Sequence, residues 1–560
     1  MEITRSNFAA SVEEFCDLLH SCSFYAFDEE MTGISIPGRP ALPTHSVAES
    51  YEEKRAVAER YNMIQVGISL FHADHRGASG KLRFIARPFN FYLFPSTTVE
   101  DESAAHLQPK DIVMSPSAIG FLRKHSMDFQ RWVYTGIPFC NAVQEQAMRQ
   151  RHTQDPWLGA STAFAVDSVH DAQNMFASSE ENVWVSLGLK SAKLFSSDSS
   201  STASNELMLA PMRSRSAREY LKFRVEKEYK NIIVSFRGKG AARDTVLQRV
   251  TPEQRATKDE AERQLRDRDL LDRIGFRKVF SELVKSKKPC VGHNCFADIL
   301  FLLAALDGPL PENDPQLFKT HFHGLFPLIF DTKYLATNTR FFPPNRFESN
   351  YLQGLFEQFT LSSERVDVCL PLGYNAYSGT TLIKASPGRS PSHEAAYDAL
   401  MTGTVLINLL AEKGWDMQDP LVADAAGNRV SIFHSLYAMN VRGDDEYLPT
   451  RGVLMVEHEP TVKSHDVESI VSGADAGLAA VGRPTMFPIE DGKTMAVLGE
   501  PLQPQMPLSP SLSVEAIAEK ISKNFSRTVK NVSIYRPPHL AMSAGVLKPT
   551  LKNLMRIYRL

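Results

Sequence analysis

The sequence predicts an α/β fold: a mixed sheet flanked by helices, interrupted by an inserted helical, basic segment and followed by a small βαββαβ domain. Three observations carry this reading. Apolar residues recur at helical spacing in 8–20, and the segments after it look like strands. Helix-like and strand-like stretches alternate again from 276 to 413. Between about 150 and 250 the character changes to low-complexity and basic stretches.

Taken in order, residues 8–20 place Phe8, Val12, Phe15, Leu18 and Leu19 on one side of a helix. The apolar, aromatic "FYAFDEEM" (24–31) reads as a strand. A Pro-containing loop, "GRPALPTHSVAES", leads to a charged helix at 50–60. "YNMIQVGISLFH" and "KLRFIARPFNFYLFP" read as paired strands joined by the polar "ADHRGASG", the start of an antiparallel or mixed sheet. "FSSDSSSTASNE" reads as a flexible link. "MRSRSAREYLKFRVEKEYK" gathers basic residues around aromatics, as either a solvated amphipathic helix or a nucleic-acid contact. "TPEQRATKDEAERQLRDRDLLDR" reads as a solvated, mixed-charge helix with i,i+4 pairs. The last hundred residues offer "GVLMVEH", a helix near 463–472, a strand pair near 485–498, the helix "SVEAIAEKISKNF" and the strand "NVSIYR". The expected division is therefore 1–150 and 251–440 for two parts of one domain, with 151–250 inserted between them. An α/β sandwich at 450–540 and a basic amphipathic helix at 541–560 follow.

The bulk composition narrows the function. The 560 residues suffice for two to four domains, and a formal net charge of −3 does not advertise nucleic-acid binding, although a local groove can reverse the sign. Six cysteines without a CxxC pair read as reduced thiols, with neither a disulfide framework nor a zinc site. No signal-peptide core and no uninterrupted apolar run of roughly 18 residues occurs. The expected location is the cytosol or nucleus, with no membrane partner.

Three adjacent acids, Asp28, Glu29 and Glu30, resist desolvation, so a purely structural role in a strand is costly. Strand parity sorts them: Asp28 and Glu30 share a face, while Glu29 points the other way with Phe27 and Met31. A carboxylate pair on one face suits a divalent cation. In "KKPCVGHNCFADILFLLAAL" a short strand ends at His293–Asn294, and Asp298 lies in the first turns of the next helix. By itself that acid is explained by the helix dipole. In "SPSHEAAYDALMTGTVLINLL" Asp398 sits in an apolar helical stretch, where an ionised carboxylate needs a partner. His393, about 500° of helix earlier, belongs to the entry loop or first turn.

Asp-x-Glu on a first strand, Asp at a helix start after "GHN" and His-x4-Asp on a late helix resemble the DEDD exonucleases of the histidine subtype. "MEITRSNF", "FYAFDEEMTGIS", "FNFYLFP", "VGHN", "DTKYLA" and "HEAAYDALMTG" further resemble the poly(A)-specific ribonuclease (PARN) family of deadenylases, over residues 1 to about 440. The resemblance implies a ribonuclease H-like fold and a 3′-to-5′ exoribonuclease that shortens poly(A) tails, releases 5′-AMP and uses two Mg²⁺ ions, which Mn²⁺ can replace. It implies that Asp28, Glu30 and Asp398 hold one ion. Asp28 would bridge to a second ion held by Asp298, with His393 as general base. It places Met31, Ile34, Ile119, Phe121, Asn294 and Lys333 at the substrate, although Met31 stands where the family has an aromatic. It also implies a homodimer, an inserted single-stranded nucleic-acid module, here degenerate, and a C-terminal RNA-recognition (RRM-like) sandwich. All four tryptophans precede residue 450, so cap binding is not expected. The alternatives are a related exonuclease trimming small-RNA or DNA 3′ ends, and an idle RNA-binding scaffold.

Overall fold

The acidic stretch forms the eight-residue strand Phe24–Met31, placed centrally in a seven-stranded mixed sheet. The computed structural model describes residues 1–39, 41–74, 83–95, 111–154, 179–197, 204–238, 243–338, 340–343, 346–377, 393–447, 452–474, 484–498 and 513–536. On one side, Phe24–Met31 pairs antiparallel with Met63–Asp74, which pairs antiparallel with Arg83–Tyr92. The short strands Glu2–Ile3 and Asp367–Cys369 lie parallel to Arg83–Tyr92. On the other side, Cys290–Gly292 and then Ile329–Asp331 continue the sheet in parallel. Alternating residues of the acidic strand serve two layers. Phe24 and Ala26 join the core built around the helix Ala395–Lys413, with Tyr334, Leu400 and Val405. Tyr25 and Phe27 lie on the opposite face with Ile299, Leu302 and Phe322.

The chain divides into two compact units, one from Met1–Phe94, Ile112–Ile137 and the described residues after Lys278, the other containing Pro138–Arg277. The second unit is more than the linker or degenerate module expected at 151–250. Strands Glu206–Met212, Arg243–Arg249 and Ile232–Arg237 form an antiparallel sheet in that order. Helices Ser179–Ser197 and Arg215–Glu228 cover it through Phe195, Leu221, Val225, Val234 and Leu247. The mixed-charge helix Pro252–Ile274 belongs to this unit and is not simply solvated. Its Arg255 is buried and donates from Nη1 to the Ile232 carbonyl at 2.9 Å. The fully buried Glu226 accepts from the Val234 N–H and from Lys258 Nζ, both at 2.8 Å. A buried charge is tolerable only with such partners, and these tie the helix to the sheet.

The C-terminal stretch has the βαββαβ order. Its antiparallel sheet runs Thr485–Glu490, Lys493–Leu498, Gly452–His458, Val529–Tyr535. Helices Ser464–Gly473 and Val514–Asn524 close one face with Val467, Val471, Ile517 and Ile521 against Leu454 and Val456. The tail helix expected at 541–560 and the middle of the expected flexible link, 198–203, lie outside the described residues.

Candidate active site

One glycine sets the meeting of strand and helix. Gly67 stands opposite Asp28 in the antiparallel ladder. A Cβ there would lie 2.0 Å from both the carbonyl carbon and the oxygen of Ala395. With hydrogen at that position, the start of Ala395–Lys413 rests directly on the sheet beside the Asp28–Glu30 face. Ser69 Oγ donates to the Ala396 carbonyl at 3.4 Å on the same face. Asp398 is in the first turn of this helix and is 8% exposed.

His393 precedes the helix in a left-handed conformation, φ 69°. The next residue anchors that strained entry: Glu394 Oε1 accepts from Tyr377 OH at 2.6 Å and from Asn90 Nδ2 at 3.3 Å. The His393 backbone N–H donates to Asp398 Oδ1 at 3.3 Å, and its Nδ1 stands 4.0 Å from Oδ2. Single side-chain atoms of Glu30, His393 and Asp398 all fall within 4.8 Å of one another. The tight trio thus contains His393 alongside two of the acids.

Asp298 comes from the other flank. It lies in the first turn of Phe296–Leu306, which follows the strand Cys290–Gly292, and its carboxylate accepts from the Glu29 backbone N–H. The intervening turn contains Asn294 at φ 58°. It is pinned by Asp331, whose buried carboxylate accepts from the backbone N–H groups of Asn294, Cys295, Lys333, Tyr334 and Ser431 at 3.0, 3.2, 2.9, 3.2 and 3.0 Å.

The four acids disfavour one another's charge. Burial holds the Asp28 carboxyl well above its ordinary value, with Asp398, Asp298, Glu30 and Glu29 adding repulsion. Glu30 is raised by burial, Asp398 and Asp298. Burial pushes Asp298 and Asp398 to about 7. Among the described residues, no lysine or arginine stands within ion-pair distance of any of the four. Unpaired carboxylates gathered in one partly buried spot, with all their donors oxygen, fit a hard divalent cation such as Mg²⁺. His393 is lowered to about 4, by burial first and then by His125 and Lys124, so it is neutral at physiological pH.

Of the expected substrate residues, Phe121 stands beside His393, and the others lie on segments next to those that hold the acids. Ile34 is 61% exposed, and its carbonyl accepts from Lys54 Nζ at 3.2 Å. Ile119 and Phe121 lie on the helix Pro116–Lys124, tied to the end of the acidic strand by the Ser115 N–H donating to the Thr32 carbonyl at 2.8 Å. The Phe121 ring centroid is 4.7 Å from that of His393. Lys333 Nζ donates to the Asn350 carbonyl and Oδ1 at 3.0 and 2.7 Å and lies 5.1 Å from the Tyr351 ring centroid. Burial lowers it to about 8, although Asp331 opposes the shift. Met31 is buried, at 8% exposure, and follows a register shift after Glu30.

Three residues carry more of the site than their sequence context suggested. Asp331 is the hub just described; its signal was an Asp before "TKYLA" that caps the helix Thr332–Thr337. His125 packs its ring 4.1 Å from His393 and 4.5 Å from Phe121. The i,i+4 spacing from Phe121 was the available signal. Glu29 is 5% exposed, with both carboxylate oxygens unpartnered among the described residues. Burial, then Asp298, raises its pKa well above the ordinary value.

The sequence matches the CAF1 family ribonuclease over residues 3–406. The chain belongs to the CAF1 family of ribonucleases. Its acidic strand, the Asp298 helix and the Asp398 turn all fall inside the span that matches. One relative of this CAF1 chain is the poly(A)-specific ribonuclease PARN of Arabidopsis thaliana, 28% identical over 479 residues, covering 79% of this chain and 68% of the relative. The pre-piRNA 3′-exonuclease trimmer of Bombyx mori is 26% identical over 414 residues, covering 73% and 71%. Among solved structures, Pop2p of S. pombe in its Mg²⁺- and Mn²⁺-bound form is similar at 12% identity. The TM-score is 0.34, and the match covers 77% of this chain and 98% of that one.

Proposed function

We propose that this CAF1 ribonuclease is a 3′-to-5′ exoribonuclease that shortens poly(A) tails and releases 5′-AMP by divalent-metal hydrolysis. One observation carries the reading: Asp28, Glu30, Asp298 and Asp398 gather beside a neutral histidine, with no lysine or arginine in ion-pair reach among the described residues. The similarity to a poly(A)-specific ribonuclease supports the choice of substrate.

Asp28, Glu30 and Asp398 would hold one Mg²⁺ and Asp28 with Asp298 a second; Mn²⁺ would serve in either place. When bound, such ions neutralise charge on the phosphoryl oxygens and on the attacking and leaving oxygens of an in-line displacement. His393, neutral because it is half-buried and faces His125, accepts the proton of the attacking water. Its backbone bond to Asp398 keeps the base on the same turn as an acid it must serve. Ile34, Ile119 and Phe121 offer apolar surface to the terminal bases, while Asn294 and Lys333 face the sugar–phosphate side. The protein would work as a homodimer in the cytosol or nucleus.

A time course on 5′-labelled A20 with Mg²⁺ tests the reading. A ladder shortening from the 3′ end, silenced by EDTA and by Asp28→Ala, is expected. No turnover on any 3′-hydroxyl RNA with Mg²⁺ or Mn²⁺ would leave an idle scaffold. The similarity to the pre-piRNA trimmer supports a second reading, trimming of small-RNA ends. Equal rates on A20 and on mixed-sequence or U20 RNA would favour it.

A further inference from the structure

Beyond the acidic pocket, a group of rings near Lys333 and Lys54 takes no part in the catalytic reading. Tyr351 is 73% exposed and carries the Lys333 ammonium over its ring. Phe433, 51% exposed, stacks on His434 with centroids 3.8 Å apart and planes 19° from parallel. His434 is itself exposed, in a left-handed backbone conformation at φ 56°. The edge-on neighbour of its ring is Phe487, 5.3 Å away, on the strand Thr485–Glu490 of the C-terminal sheet. Lone exposed apolar residues need no explanation, but the contiguous trio Phe433, His434 and Phe487, with the Lys333–Tyr351 pair in electrostatic reach of His434, does.

The charge balance indicates what would cover these rings. Among the described residues Lys333 makes no ion pair: its ammonium rests on the Asn350 oxygens and the Tyr351 ring, with Asp331 acting on it only through space. Lys54 shares its charge with Glu53 at 3.3 Å while donating to the Ile34 carbonyl. Both lysines stand near enough to His434 to hold its pKa down, after burial. Stacking faces interleaved with ammonium groups suit single-stranded nucleic acid, whose bases all have a π-face and whose phosphates alternate with them.

We propose that Tyr351, Phe433, His434 and Phe487 form a second binding subsite, which stacks bases of single-stranded RNA upstream of the 3′ end while Lys333 and Lys54 meet the intervening phosphates. This rests on the exoribonuclease reading and extends it: the enzyme grips a longer stretch of tail than the pocket holds, and affinity grows with tail length. Loss of one base–ring stack weakens binding roughly 5- to 100-fold.

The experiment uses the full chain. Anisotropy of fluorescein-labelled A20 and A4 in EDTA reads binding without turnover, and kcat/KM on the same two RNAs in Mg²⁺ reads its use. Phe433→Ala and Phe487→Ala should each weaken A20 binding about tenfold and cut the A20-to-A4 ratio of kcat/KM by a similar factor, with Phe433→Trp restoring both. Unaltered A20 affinity in the alanine variants overturns the proposal, as does an equal loss on A4 and A20. Tight, ring-dependent A20 binding by a wild type that cleaves nothing would support the subsite while removing the exonuclease reading.

Discussion

Asp398→Asn separates stability from activity. Burial raises this carboxyl from 3.8 to about 7, partly opposed by the His393 N–H. Above pH 7 the unfolded chain ionises freely while the folded chain must ionise a buried group among three other acids. A folded-state pKa above the unfolded value means that stability falls as pH rises from about 4 to about 7, then levels off. A shift of about 3 units corresponds to a cost on the order of 4 kcal/mol in the metal-free protein at pH 8. Asparagine keeps the shape and the acceptor for His393, and its amide can donate to the neighbouring carboxylates. In EDTA at pH 8 the variant should therefore melt several degrees above wild type. At pH 4, where the folded-state acid is protonated and the unfolded one is only about half ionised, most of the difference should disappear. Mg²⁺ should raise the wild-type melting temperature, because a ligand at 100 times its Kd contributes about 2.7 kcal/mol. It should move the variant far less, and turnover should be lost. Differential scanning calorimetry at two pH values, with and without Mg²⁺, reads all of this. A variant that melts at or below wild type in EDTA at pH 8 would refute the electrostatic reasoning.

Other substitutions probe the supporting structure. Gly67→Ala drives a methyl into the Ala395 backbone; overpacking should lower stability by about 1–3 kcal/mol and reduce kcat, measured by melting and single-turnover hydrolysis. Glu29→Leu removes a buried carboxyl with no partner and should stabilise the fold at pH 8 by about 1–3 kcal/mol, read by denaturant unfolding; the gain should shrink at pH 4, since this carboxyl too has a raised folded pKa. His125→Ala takes away a ring packed against His393. It should lower kcat roughly tenfold with little change in KM, because a small misplacement of a catalytic group slows the reaction without weakening binding, and His125→Phe should recover most of the rate.

The local parts of the site were legible because their rules are local. Alternation along a strand put Asp28 and Glu30 together, and the helix after "GHN" put Asp298 in its first turns, while Asp398 was read only as an acid inside an apolar helix. The slip of the ladder after Glu30 was not legible, since a slip cannot be read from side-chain types. Gly67 gave no sign of its purpose, since only the approach of a distant helix explains the missing side chain. What holds the inserted unit together was hidden for a related reason. Its core is spread over short strands from 206 to 249, and the buried partners that hold it, Arg255 and Glu226, look like ordinary surface charges in sequence. His125 and Asp331 acquired importance only through the groups that folding brings to them.

The contact between Ser69 and Ala396 joins residues 327 apart in the chain. A chain leaving the ribosome therefore presents its acidic strand long before the helix that must lie on it has been made. Assembly of the pocket is a late event, completed only after the inserted unit and the Asp298 helix have been synthesised. A polypeptide that ends between Leu306 and His393 carries Asp28, Glu30 and Asp298 but neither His393 nor Asp398, so its pocket is incomplete.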